Sequence, residues 1–125
     1  MPKVSKETAS QVDRMGPMES WSEQVGDFIV GFSTFHEGGD ATPFFKGLPD
    51  DRCQAAHWGY IFKGKVTFKY ADRDEVYEAG DAYYAPPGHV PVVEAGTECV
   101  EFSTAAEYTQ TLAVFEKILT ARQRS

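Results

Sequence analysis

From Gln54 to Ser103 the chain offers a short apolar run, then a turn, at intervals of roughly eight to twelve residues. That rhythm leaves little choice beyond a β-sandwich or a β-barrel. The stretch KVTFKY shows the pattern at its clearest. Val66, Phe68 and Tyr70 fall on one face, and Lys65, Thr67 and Lys69 on the other. Gly64 interrupts the strand read over Gln54–Phe62, and Ala71-Asp72-Arg73-Asp74 has hairpin character. Gly80-Asp81 marks a further turn, and Pro86-Pro87-Gly88 a rigid corner. VPVVEA and TECVEFS form a last pair around Gly96.

Upstream, FIVGFSTF (28–35) reads as a strand rich in β-branched and aromatic residues. Residues 36–51 form a long loop of glycines, prolines and acids, which Phe44 and Phe45 pin to the body. Residues 1–17 read as a flexible N-terminal arm. The tail switches period. Tyr108, Leu112, Phe115 and Leu119 lie on one helical stripe, Thr104 and Glu107 have capping-box spacing, and Arg122 and Arg124 suit a helix C-terminus. The expected organisation is an arm (1–17), a β-barrel (18–103) and a C-terminal helix (104–125).

Composition bounds the function. The net charge of −7 argues against a protein that tracks phosphates along nucleic acid. No apolar run approaches membrane-span length, and the first residues lack an apolar secretory core. A cytoplasmic protein with reduced Cys53 and Cys99 is the expectation, with no membrane and no nucleic-acid partner. GxSxG, P-loop and CxxC motifs are absent.

The stretch GDAYYAPPGH (80–89) contains Gly-x5-Pro-x-Gly, which resembles the core of the second motif of the cupin superfamily. HWGYIFKG (57–64) fits the end of the first cupin motif, with Gly64 as its terminal glycine. Both lie in order, and the resemblance spans about residues 50–103. It is to the small single-domain, RmlC-like cupins of the conserved-barrel type. It implies an all-β cupin double-stranded β-helix, or jelly-roll, barrel with a C-terminal α-helix, which docks on the barrel or on a second subunit.

The metal-binding residues of such motifs are not kept here. Counting back from Gly64, the glutamate position is His57, and the two histidine positions are Asp51 and Cys53. The histidine position of the second motif is Pro91, with His89 two residues earlier. If the strand already runs through them, Asp51, Cys53 and His57 share its parity, and His89 shares that of Pro91. His57, His89 and Cys53 are therefore the candidate metal ligands, with Asp51 more simply a solvated loop residue. A thiolate in the set favours zinc over iron, manganese or nickel.

His57 and His89 are also the candidate catalytic residues. Tyr60 and Tyr84 are the candidate ligand-binding residues, although parity does not decide between Tyr83 and Tyr84. Trp58 lies opposite His57 and suits packing or a subunit contact, and His36 a loop or strand end. Glu94, Glu98 and Glu101 read as exposed alternating carboxylates, any of which becomes an acid or base if it turns inward. A direct Cys53–His57 pair is not expected, because four residues of strand separate them by about 13 Å.

The resemblance implies a barrel that binds a small molecule, with dioxygenase, isomerase or lyase chemistry on a small polar or acidic substrate if one divalent metal ion is held. A metal-free ligand-binding or sensing module with an apolar barrel cavity is the alternative. A barrel simply filled by side chains is a third reading. A homodimer is expected, since exposed sheet edges invite pairing.

Overall fold

A computed structural model describes residues 3–15 and 17–124. Within them it describes all side chains except those of residues 15, 44, 112, 115, 116 and 118–124. Among the described residues ten strands and one α-helix follow in chain order: β1 Gln11–Met15, β2 Met18–Val25, β3 Phe28–Phe35, β4 Gly39–Asp40, β5 His57–Lys63, β6 Lys65–Lys69, β7 Asp74–Glu78, β8 Ala82–Ala85, β9 Val90–Val93, β10 Thr97–Thr104 and α1 Ala105–Arg124. Every strand pairing is antiparallel. One sheet has the order β1-β2-β3-β10-β5-β8 and the other β4-β9-β6-β7.

The inner faces of the two sheets meet over Ile61, Val66, Phe68, Tyr70, Tyr83, Ala85 and Cys99. The alternation read in KVTFKY holds, since Val66, Phe68 and Tyr70 are buried. A second cluster of Phe45, Leu48, Cys53, Ala55 and Val90 lies under α1, which contributes Tyr108 and Val114. Phe45 thus pins the long loop, while the side chain of Phe44 lies outside the described residues. That loop also contains β4 and two 3-10 turns, Thr42–Phe44 and Pro49–Asp51.

The turns follow local chemistry. Gly80 takes φ 95°, which side chains with a Cβ rarely adopt. Asp81 Oδ2 accepts the Glu78 N–H at 2.8 Å, closing the same turn. The hairpin between β6 and β7 closes by Tyr70 N–H donating to Arg73 O at 2.8 Å.

Two boundaries differ from the sequence reading. Gln11–Met15, within the segment expected to be a loose arm, pairs along its length with β2. The strand expected over Gln54–Phe62 begins only at His57. Thr104 Oγ1 donates to the Glu107 carboxylate at 2.8 Å, so the capping-box pair meets side chain to side chain. The side chains of Leu112, Phe115, Leu119, Arg122 and Arg124 lie outside the described residues. Among the described residues no helix is long and apolar enough to cross a membrane.

Candidate functional site

The corner that follows β8 builds the site. Pro86 and Pro87 have fixed φ and no N–H to place in a ladder. Gly88 then turns the chain with φ 95°. His89 lands opposite Cys53 in an isolated antiparallel bridge. Gly88 N–H donates to Cys53 O at 2.7 Å, and Cys53 N–H donates to His89 O at 2.9 Å. These bonds join two segments that are distant in sequence.

Cys53 is therefore not part of β5, and the chain bends between it and His57. This overturns the expected separation. Cys53 Sγ lies 3.6 Å from His57 Nε2, not about 13 Å. One ligand atom from each of Cys53, His57 and His89 lies within 4.8 Å of the other two. All three residues are buried, and both cysteines are free thiols. The imidazoles of His57 and His89 stand 4.8 Å apart between centroids.

The second nitrogen of each ring is tied back. His89 Nδ1 donates to Pro86 O at 2.7 Å, so in the neutral ring Nε2 is the acceptor. That Nε2 is buried without a hydrogen-bond partner among the described residues. Ser103 Oγ lies 2.6 Å from His57 Nδ1 and fixes the ring. Cys53 Sγ also meets Thr111 Oγ1 of α1 at 3.5 Å.

The electrostatics bias this cluster toward charge separation. Burial pushes the Cys53 thiol up. The nearby His57 and His89 outweigh burial and bring its pKa down to about 6. Burial likewise opposes a charged His57, yet the Glu101 carboxylate and Cys53 hold its pKa above the usual histidine value. Cys99 differs: burial, then Glu101, pushes its thiol well up.

Beside the cluster is a cavity of about 100 Å³, lined among others by Cys53, His57, His89, Tyr83, Glu101 and Thr111. Tyr83 donates to Glu101 Oε2 at 2.6 Å across its wall. Burial, and then the Glu101 charge, keeps the Tyr83 phenol protonated by pushing its pKa far up. Tyr108 of α1 meets His57 edge-on at 5.5 Å.

The structure sorts the predicted residues. His57, His89 and Cys53 come together. Asp51 does not join them, because it ends a 3-10 turn, is exposed, and accepts the Gly47 N–H at 3.0 Å. Pro91 lines the cavity without offering a donor. Tyr60 and Tyr84 point outward and are exposed, which corrects their expected place in the cavity. Strand parity is the reason. Tyr60 and Trp58 alternate with the inward His57, Gly59 and Ile61, and Tyr84 alternates with the inward Tyr83 and Ala85.

Glu101 lines the cavity, while Glu98 pairs with Lys6 and Lys63 and Glu94 with Lys65. His36 pairs with Glu19 at 2.8 Å on the outside.

Ser103, Thr111 and Tyr108 were not picked out from sequence as site residues. The period-two relation of Cys99, Glu101 and Ser103 carries a signal for the first. Thr111, three positions after Tyr108 on a helix, carries one for the helix residues.

No family model matches the chain, and no curated protein matches it. Solved structures do. A protein of unknown function from Rhizobium leguminosarum bv. viciae 3841 aligns with TM-score 0.59 and 15% identity, covering 83% of this chain and 96% of that one. An RmlC-like cupin from Shewanella frigidimarina aligns with TM-score 0.54 and 17% identity, over 81% and 88%. A nucleoside dehydratase from Streptomyces aligns with TM-score 0.58 and 16% identity, over 83% and 82%. At such identities the likeness carries the architecture alone, and it matches what the two motifs imply: this chain has the cupin fold.

Proposed function

We propose that this cupin barrel binds one divalent cation through Cys53, His57 and His89, and holds a small polar or acidic molecule in the cavity beside it. The observation that carries the reading is the buried His89 Nε2, which has no hydrogen-bond partner among the described residues and is the acceptor of the neutral ring, within 4.8 Å of the Cys53–His57 pair. An unpaired buried acceptor costs about 1–3 kcal/mol unless something binds it. The donor types, one thiolate and two imidazoles, suit zinc. In a tetrahedral site with ordinary Zn–S and Zn–N lengths, sulfur and nitrogen stand about 3.5 Å apart. Cys53 Sγ and His57 Nε2 are 3.6 Å apart.

Three protein ligands leave a position free, as catalytic rather than structural zinc sites do. A divalent ion bound there would supply Lewis acidity and acidify a bound water. The chain's own residues do the rest. Ser103 and the Pro86 carbonyl orient the two imidazoles. Tyr83 holds the Glu101 carboxylate against the cavity, where it can accept a proton from a bound molecule. At about 100 Å³ the cavity falls well short of the roughly 300–1,000 Å³ of a drug-sized site. It suits a cation with a few waters, or a molecule smaller than a nucleoside.

The metal-free reading has one observation in its favour. The Cys53 thiol and His57 are 3.6 Å apart, with the thiol's pKa brought down to about 6 and that of His57 raised, so without an ion the two would favour a thiolate–imidazolium pair.

Elemental analysis of protein purified without a metal-affinity tag separates the two. About one equivalent of metal is expected, lost in His89→Ala and Cys53→Ser and kept in His36→Ala. No metal, even after reconstitution with zinc, iron(II), manganese and nickel, would overturn the cation reading and leave the thiolate pair.

A further inference from the structure

Glu101 stands in a row of residues that crosses the six-stranded sheet on its inner face. The register runs Ser22↔Gly31, Gly31↔Glu101, Glu101↔Gly59 and Gly59↔Tyr83. The carboxylate is thus flanked by a glycine on each side, but the two sides differ. A Cβ at Gly59 would come within 2.6 Å of the Tyr83 hydroxyl. That side is filled by the phenol, which donates to Glu101 Oε2 at 2.6 Å. A Cβ at Gly31 would meet nothing nearer than Ser22 Cβ, at 3.7 Å. That side has room, and a second cavity of about 50 Å³ lies there.

The wall of this second cavity is rich in oxygen. Ser22, Ser33 and Ser103 line it together with Glu101, and Ile29 and Tyr108 add an apolar and an aromatic side. Ser103 Oγ is 2.6 Å from His57 Nδ1, so the cavity reaches the edge of the Cys53–His57–His89 cluster. Glu101 is half-buried. Glu94 and Glu98 pair with lysines, whereas Glu101 makes no ion pair among the described residues. A carboxylate taken out of water is costly without a compensating charge. A small cationic group with several N–H donors would supply that charge and bond the carboxylate and the serine oxygens together.

The two cavities adjoin, because Ser33, Glu101 and Tyr108 line both. We propose that the smaller one is the subsite for the ammonium group of a short primary amine. The other end of that molecule, an oxygen group, extends into the larger cavity beside Cys53, His57 and His89. Charge favours an ammonium over a carboxylate or phosphate, which Glu101 would repel. The Tyr108 ring on the wall favours a cation too. Size sets the length of the stem. A water needs about 10–15 Å³ of such space, so about 50 Å³ admits an ammonium on a short carbon stem. The subsite rests on the reading of a small molecule in the barrel and names its chemical class, but it does not depend on the cation.

An NMR titration of metal-free protein, with chelator present and added salt matched by sodium chloride, tests it. Ethanolamine is the probe. Ethylene glycol, of similar size without the charge, and acetate are titrated in parallel. Ethanolamine should move the backbone amides of Ser22, Gly31, Ser33 and Ser103 and saturate at about millimolar concentration, as so few atoms allow. Glu101→Gln should weaken it about 10–100-fold. Gly31→Ala, whose Cβ fits but takes up cavity space, should weaken it as well, with an amide spectrum that shows the fold intact. Glu98→Gln should bind as the wild type does. Saturable shifts with acetate or ethylene glycol but none with ethanolamine, or equal shifts with ethylene glycol and ethanolamine, would overturn the amine and keep the small-molecule reading. Silence toward all three probes would overturn both. Undiminished binding in folded Glu101→Gln or Gly31→Ala would overturn the placement of the amine. The metal content, measured separately, decides the cation independently of these outcomes.

Discussion

Replacing Gly64 by alanine tests whether the turn between β5 and β6 is held by the space at that position and not merely by its backbone angle. Gly64 has φ 83°. A Cβ built there would overlap Thr97 Oγ1 and come within 2.7 Å of Thr97 Cα and 2.9 Å of its Cβ. Thr97 cannot easily yield. It is fully buried, and its Oγ1 donates to Glu94 O at 2.7 Å and accepts the Lys65 N–H at 3.1 Å.

Gly80 is the matched control. Its φ is 95°, but a Cβ there meets nothing within 4 Å. Left-handed backbone costs a residue with a Cβ about 1–2 kcal/mol, and both variants bear that cost. Overpacking against Thr97 adds about 1–3 kcal/mol to Gly64→Ala alone. At about 2.1 cal/mol/K of unfolding entropy per residue, a chain of this length loses about 4 °C per kcal/mol. Gly80→Ala should therefore melt about 4–8 °C below wild type, and Gly64→Ala a further 4–12 °C lower. The assay is thermal unfolding followed by near-ultraviolet circular dichroism, with chelator present so that no bound ion masks the difference. Equal losses in the two variants would refute the packing argument and leave only the dihedral one.

Three other outcomes are expected. Ser103→Ala frees the His57 ring, so the metal affinity of the folded protein should fall about 10–100-fold by competition with a chromogenic chelator. In metal-free protein, absorbance at 240 nm should report a thiolate appearing with a midpoint near pH 6 and absent from Cys53→Ser, because the Cys53 pKa lies at about 6. The sign of the linked stability follows from the same shift. The Cys53 contribution is present at high pH and is lost as pH falls through about 6, while that of His57, whose pKa is raised, is lost as pH rises. Tyr83→Phe removes the donor to Glu101, and denaturant titration should show a loss of about 1–3 kcal/mol with an unchanged m-value.

Much of the barrel was legible because its strands are half-buried and alternate. Val66, Phe68 and Tyr70 announce their face, and Gly64 and Gly80 mark turns that need positive φ. Gln11–Met15 was not legible as a strand, since a polar edge strand has only one pairing partner and little to bury. The site was half legible. Motif spacing drew attention to His57, His89 and Cys53, but counting along an imagined continuous strand placed the thiol too far away. What brings Cys53 in is the bridge to His89, a tertiary contact with no local signature. The same limit hid Thr111, which is set against Cys53 by how α1 docks. Tyr60 and Tyr84 went to the wrong face because aromatic residues favour strands on either side of a sheet.

The bridge between Cys53 and His89 also bears on the order of folding. Chain closure over so long a separation is entropically unfavourable until the intervening hairpin of β6 and β7 and strand β8 are in place. The cluster of Cys53, His57 and His89 is thus expected to form late in assembly. A partly folded chain carries these residues but not their geometry, so the arrangement of one sulfur and two nitrogens reports that the barrel has closed.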